Sequence, residues 1–303
     1  MTEREIINRL QKLKKMQDFP LIGTIGLGVF LVMTGLSTVA TLNDNTQPSK
    51  SAIIWHAFAL IATAIYFILL NTYAKKAKKA FKALYKQTFV VNVLSNYFDD
   101  VIYKWDSGFL PEQVKYYGLC ELGNEFHSED YLSGVYNDIS FRQADVKISY
   151  KLSDASTSHT TYFEGRMFVF ELPDQKSNGL QVHSKKFYNE APSPTGQAFQ
   201  KILTGNEEFD RNFTVRAANE QEVKNILTPT VMARIQDLGT RYMSLVLYFT
   251  NNKLHLGIQG VPDTFDPPSD RKRFDYATER ERIRKDIQII TDVIDTMTQS
   301  SVM

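Results

Sequence analysis

The chain carries one cysteine, Cys120, which excludes an intramolecular disulfide and any metal cluster built on paired thiolates. A lone thiol suits a reducing compartment, and without a neighbouring base Cys120 reads as a small core residue in a strand. The five histidines, His56, His127, His159, His183 and His255, include no pair at helical spacing, so a zinc site would need ligands gathered from distant parts of the chain. The acidic doublets Asp99-Asp100, Glu129-Asp130 and Glu207-Glu208 point apart on a helix or strand and read as solvated faces, not as an acid and base in concert. Net charge is +1, from 35 basic and 34 acidic residues, which supplies no general attraction to nucleic acid. No catalytic residue, cofactor site or metal site is assigned from the sequence.

Two long stretches also lack charge. Pro20 to Leu42 and Ala52 to Asn71 contain no Lys, Arg, Asp or Glu, and each is long enough to cross a hydrocarbon layer of about 30 Å as a helix rising about 1.5 Å per residue. A transmembrane hairpin over 20–71 is therefore expected, with Gly28 and Gly35 one heptad apart offering a smooth packing face. Its flanks are basic. Arg4, Arg9, Lys12, Lys14 and Lys15 precede it, Lys75, Lys76, Lys78, Lys79, Lys82 and Lys86 follow it, and the loop Asn43 to Ser51 holds only Lys50. Basic residues are retained on the cytoplasmic side, so both termini and the main domain are expected in the cytoplasm. Lys75, Lys76, Lys78, Lys79 and Lys82 are candidate contacts for anionic lipid headgroups, each worth about 1 kcal/mol near the surface.

Outside the hairpin, residues 1–19 read as an amphipathic helix on the membrane surface, with Ile6, Leu10 and Leu13 on one face. Across 72–107, Phe81, Leu84, Tyr85, Phe89, Val93, Tyr97, Val101 and Ile102 recur at steps of three or four, which predicts a linker helix with one buried face. The period then becomes two: Val146, Ile148, Tyr150 and Leu152 alternate with polar residues, and Phe168, Phe170 and Leu172 repeat the pattern, as half-buried antiparallel strands do. Phe187 to Asn206 is expected to be a loop. Asn219 with Glu222 predicts a capped helix ending near Leu227, Thr228-Pro229 starts another that stops at Gly239, and Met243 to Phe249 with Leu254 to Ile258 reads as a hairpin. An α+β domain over 108–268 follows, with a mostly antiparallel sheet. In 269–303, Ile283, Ile287, Ile290, Ile294 and Met297 form a candidate packing seam on a C-terminal amphipathic helix, with the helix Phe81 to Ile102 as its expected cover.

Several runs in this order resemble a bacterial membrane-protein family of unknown function, DUF3137. They are Asp130-Tyr131-Leu132-Ser133-Gly134-Val135-Tyr136-Asn137-Asp138-Ile139-Ser140-Phe141 into Ala144-Asp145-Val146, then Phe163-Glu164-Gly165-Arg166-Met167-Phe168, Phe209-Asp210-Arg211-Asn212-Phe213-Thr214-Val215, and Ile226-Leu227-Thr228-Pro229-Thr230-Val231-Met232. Arg166-Met167 departs from the second large aromatic that members often carry there. The resemblance implies the bacterial cytoplasmic membrane and brings no catalytic residues; a LemA-type or other membrane protein is the partner it suggests. The expected function is a non-catalytic, membrane-tethered interaction or ligand-sensing domain, with the bilayer as first partner, no nucleic acid, and homo-oligomers allowed. The alternatives are an enzyme whose site is assembled from distant residues and a component of a membrane-remodelling assembly.

Overall fold

A computed structural model describes residues 2–17, 50–152, 159–172, 177, 179–187, 189, 191, 193–194, 196, 198–242, 244–261, 265–267 and 274–298. The first apolar segment, Pro20 to Leu42, and the loop after it fall outside the described residues as far as position 49, so one helix of the expected hairpin is available to description. The chain divides into two compact units, Met1–Phe89 with Asp266–Arg280, and Val90–Phe265 with Glu281–Met303.

In the first unit, α1 spans 3–17 and α2 spans Lys50–Leu84, continuing through a π-helical stretch, Tyr85–Val90. The expectation that α1 lies on the membrane surface meets a different arrangement. Ile6 and Leu10 are fully buried within protein, and the Lys14 ammonium stands 5.5 Å over the Phe81 ring. An apolar stripe is satisfied equally by lipid or by a neighbouring helix, and here protein covers it. Phe274 meets Phe81, Tyr85 and Phe89 edge to face at centroid distances of 5.5 to 6.2 Å, and the Tyr85 hydroxyl donates to Glu279 at 2.8 Å. Edge-to-face rings of this kind are favoured by the aromatic quadrupole.

The second unit is an α+β fold with a nine-stranded antiparallel sheet in the order β1-β2-β3-β4-β9-β8-β5-β7-β6. Short helix α3 (Val91–Leu94) leads into β1 (Asp99–Lys104), so the helical period expected to run through Ile102 ends at Leu94. Alternate side chains of a short strand mimic a helical repeat of three and four when only a few residues are read. After α4 (Pro111–Tyr117), β2 (Glu125–Tyr136) and β3 (Ile139–Lys151) form a long hairpin whose turn places Asn137 and Asp138 at positive φ, 48° and 61°, as a type I′ turn requires. Next come β4 (His159–Glu171) and β5 (Leu180–Ser184). The stretch expected to be a loop contains a three-residue edge strand, β6 (Gln200–Ile202), followed by α5 (Glu207–Asn212) and β7 (Phe213–Ala217).

Helices α6 (Glu220–Ile226) and α7 (Pro229–Arg241) start at the caps Asn219 and Thr228, whose side chains accept from the backbone of Glu222 and Val231. Gly239 does not end α7, which continues for two residues. Strands β8 (Leu245–Thr250) and β9 (Lys253–Gln259) pair Leu245, Leu247 and Phe249 with Ile258, Leu256 and Leu254. The C-terminal helix α8 spans Tyr276–Thr298.

Registers across the sheet separate its two faces. One carries Phe141, Phe168, Phe170, Leu254, Leu256, Leu247, Val182 and Val215; the other carries Ala144, Val146, Phe163, Met167, Val169 and Val246, under α4. Burial on both sides is why β8 reads as a continuous apolar run instead of an alternating one. The β3 alternation breaks at a bulge between Ile148 and Ser149: Ile148 is buried, whereas Tyr150 and Leu152, expected to share its face, are exposed. Gly165 allows β4 to approach β9, since a Cβ there would lie 2.1 Å from the Ile258 carbonyl oxygen.

Candidate membrane interface

Helix α2 has 35 residues, about 52 Å of helix, and its apolar part is bare. Phe58, Ile61, Ile65, Tyr66, Phe67, Ile68, Leu69 and Tyr73 are all exposed. Residues 65 to 69 are consecutive, and a step of about 100° per residue sends them in every direction around the axis. A helix that is apolar all round and covered by none of the described residues has no reason to stand in water. Its apolar window has a mean hydropathy of 1.8 and none of it is buried; by length and composition it can cross a membrane.

The lysines that follow are sorted by the fold. Lys75, Lys76, Lys78 and Lys79 are exposed at the end of the apolar stretch. Lys82, grouped with them from the sequence, instead donates to Asp266 at 3.0 Å, and Lys86, with no exposed surface, meets the same carboxylate at 2.5 Å. Burial alone would raise the Asp266 pKa, but hydrogen bonds from Lys86 and Lys82 hold it below the usual carboxylate range. Four lysines are thus left exposed, and the lower two fix the segment entering α8. The π-helical turn just beyond directs Tyr85, Lys86 and Phe89 inward together, each essentially fully buried.

The seam residues Ile283, Ile287, Ile290 and Ile294 are buried and Met297 is half-buried. The expected cover, Phe81 to Ile102, is helical only as far as Leu94; Tyr85 on it donates to Glu279 in the first turns of α8, and further polar contacts of α8 lead to other elements. Asp286 pairs with Arg166 in β4, Asp292 with Arg241 at the end of α7, and Asp295 accepts from Tyr136 and Asn137 at the β2–β3 turn. Arg166 is 1% exposed and is held by Asp145 at 2.5 Å, by Asp286, and by the Phe265 ring 5.1 Å from its guanidinium carbon. Burial pulls its pKa down, but the two carboxylates outweigh it and the net shift is upward. This cluster was not foreseen; a charged residue inside an otherwise apolar alternation, Phe163 to Phe170, is the signal that marks it.

On the opposite face, His255 donates from Nδ1 to the Tyr117 carbonyl at 2.9 Å, and burial pushes its pKa down to about 4. Burial raises Tyr117 and Cys120 to about 12 each. All three groups therefore stay neutral near pH 7. Cys120 lies in the loop after α4 and not in a strand, beside a cleft of about 510 Å³ that also touches Tyr116 and Leu122. Among the described residues no group of three or more His, Cys, Asp or Glu could hold a metal ion.

A family model described as "Protein of unknown function (DUF3137)" matches residues 159–299. This part of the chain belongs to the DUF3137 family. The matched stretch runs from β4 to α8 and includes Arg166 and Asp286, while Asp145 lies before it. Among solved structures, that of the mycobacterial trehalose monomycolate transport factor A, TtfA, is similar at 7% identity over 70% of this chain and 95% of that one, with a TM-score of 0.36. No curated protein matches the chain significantly.

Proposed function

We propose that this DUF3137 chain is a non-catalytic, membrane-anchored module that tethers its α+β domain to an anionic membrane surface, where the domain binds a partner or ligand. In this reading α2 crosses the bilayer as one half of a hairpin with Pro20 to Leu42, and Lys75, Lys76, Lys78 and Lys79 lie among acidic headgroups on the cytoplasmic side. One observation carries it: an apolar helix left exposed by the described residues runs directly into four exposed lysines that no described protein group engages. Such a collar contributes about 1 kcal/mol per lysine toward anionic lipid. A LemA-type or other membrane protein, or a second copy of the chain, fits as the partner held nearby.

Lipid carried through purification tests the collar. From mixed micelles, wild-type protein should retain phosphatidylglycerol over phosphatidylcholine by mass spectrometry, and replacing Lys75, Lys76, Lys78 and Lys79 with glutamine should remove most of that enrichment. Equal enrichment in the variant would show that the lysines do not meet headgroups.

A further inference from the structure

A second basic feature lies in the α+β unit, away from α2 in sequence. A cleft of about 270 Å³ opens where β5 ends, α5 runs into β7, and α7 completes its last turns. Lys185 and Lys186 follow β5 directly, Arg211 comes from α5, and Gln236 and Thr240 come from α7; Glu208 is the one carboxylate in the lining. Three cations thus face one anion. The rim is built by the backbone: the Lys185 amide donates to the Asn212 carbonyl at 2.9 Å, joining the end of β5 to the end of α5, and the Lys185 ammonium is steadied by Thr214 Oγ1 at 3.0 Å.

Four other cations of this unit are spent on structure. Arg166 serves Asp145 and Asp286, Arg241 serves Asp237 and Asp292, Arg142 serves Glu171 and Lys147 serves Glu164. Lys186 and Arg211 have no ion pair among the described residues, although both line the same concave surface. A guanidinium presents a planar fork that matches phosphate oxygens, an ammonium adds a point charge, and the Gln236 amide and Thr240 hydroxyl add neutral donors. The volume lies just below that of sites for drug-sized ligands, which suits a small polar head and not a large apolar body.

We propose that the cleft formed by Lys185, Lys186, Arg211, Gln236 and Thr240 binds the phosphate group of an anionic ligand, either a free phosphorylated solute or a phospholipid headgroup. The bland alternative is definite: Lys186 and Arg211 stand near the C-terminal ends of α5 and α7, where cations complement the helix dipoles without any ligand.

The test uses the full-length protein in phosphatidylcholine nanodiscs, titrated calorimetrically with pyrophosphate. Saturable binding is expected, weakened roughly tenfold or more in Lys186→Gln/Arg211→Gln because charge-assisted hydrogen bonds are lost, with the melting temperature unchanged. A collar variant, Lys78→Gln/Lys79→Gln, should bind pyrophosphate as the wild type does. Absence of saturable binding, or equal affinity in the cleft variant, overturns the proposal; so does a lowered melting temperature with affinity intact, which is the dipole reading. Repeating the titration in phosphatidylglycerol discs at high salt identifies the source. Unchanged affinity points to a free solute, a loss of affinity to a headgroup already seated there, and either result upholds the phosphate site.

Discussion

Arg166 shows how much a single side chain can hold in place. Its guanidinium is sealed between two carboxylates and an aromatic ring, and removing it would leave Asp145 and Asp286 facing each other without a counter-ion in a buried site. Breaking a buried ion pair in this way costs about 3–5 kcal/mol, most of it the uncompensated charge. Arg166→Met is therefore expected to lose that much in urea denaturation, and Arg166→Met with Asp286→Leu to recover a good part of it. A single variant within about 1 kcal/mol of wild type would show the cluster to be dispensable. His255 gives the chain a pH dependence of a definite sign. Unfolded, its imidazole titrates near 6.5, whereas in the fold burial holds it near 4, so between those values the unfolded state takes up a proton that the native state refuses. Stability is full above about pH 6.5 and falls by roughly 2–4 kcal/mol as the pH drops toward 4. Replacing His255 with glutamine, which can still donate to the Tyr117 carbonyl, should flatten the difference between denaturation curves at about pH 7 and about pH 4.5. An unchanged difference would place the acid sensitivity elsewhere.

At the scale of elements, α8 is the piece on which the second unit depends. Its four seam isoleucines are buried, and its carboxylates reach β4, α7 and the β2–β3 turn. Ile287→Asp/Ile290→Asp combines two truncations of the kind that cost about 2–5 kcal/mol each with the burial of two charges, against a total stability of about 5–15 kcal/mol. The variant is expected to lose its near-ultraviolet circular dichroism with no change in subunit number before unfolding. A variant that stays folded and drops from oligomer to monomer in light scattering would make this helix an assembly interface instead. Local chemistry made several elements legible beforehand: Asn219 and Thr228 announce their helices because caps act within four residues, and the β8–β9 hairpin follows from cross-strand pairing over a two-residue turn. Long-range effects hid others. The β3 bulge shifts the alternation after Ile148, β6 is too short to show a period, and β1 imitates the helix before it. For the membrane interface, the sequence marked the lysine run, but only tertiary packing separates four exposed lysines from Lys82 and Lys86, which Asp266 claims. The Arg166 cluster joins residues far apart in the chain, and no local pattern encodes such a meeting.

For the molecule as a whole, the apolar surface of α2 is left uncovered by the described residues, and the account rests on lipid covering it. Single spin labels placed in turn at Phe58, Ile61, Ile65, Leu69, Lys75 and Lys79, in protein reconstituted into phosphatidylcholine and phosphatidylglycerol vesicles, report this directly through their collision rates with oxygen and with a water-soluble nickel chelate. Oxygen concentrates in hydrocarbon and the chelate is excluded from it. The expected result is high oxygen and low nickel accessibility at 58, 61, 65 and 69, which share one face of the helix, reversing at 75 and 79. Nickel accessibility at the four apolar positions, or low accessibility to both reagents there, would contradict the account: the first would place that face of α2 in water, the second against protein.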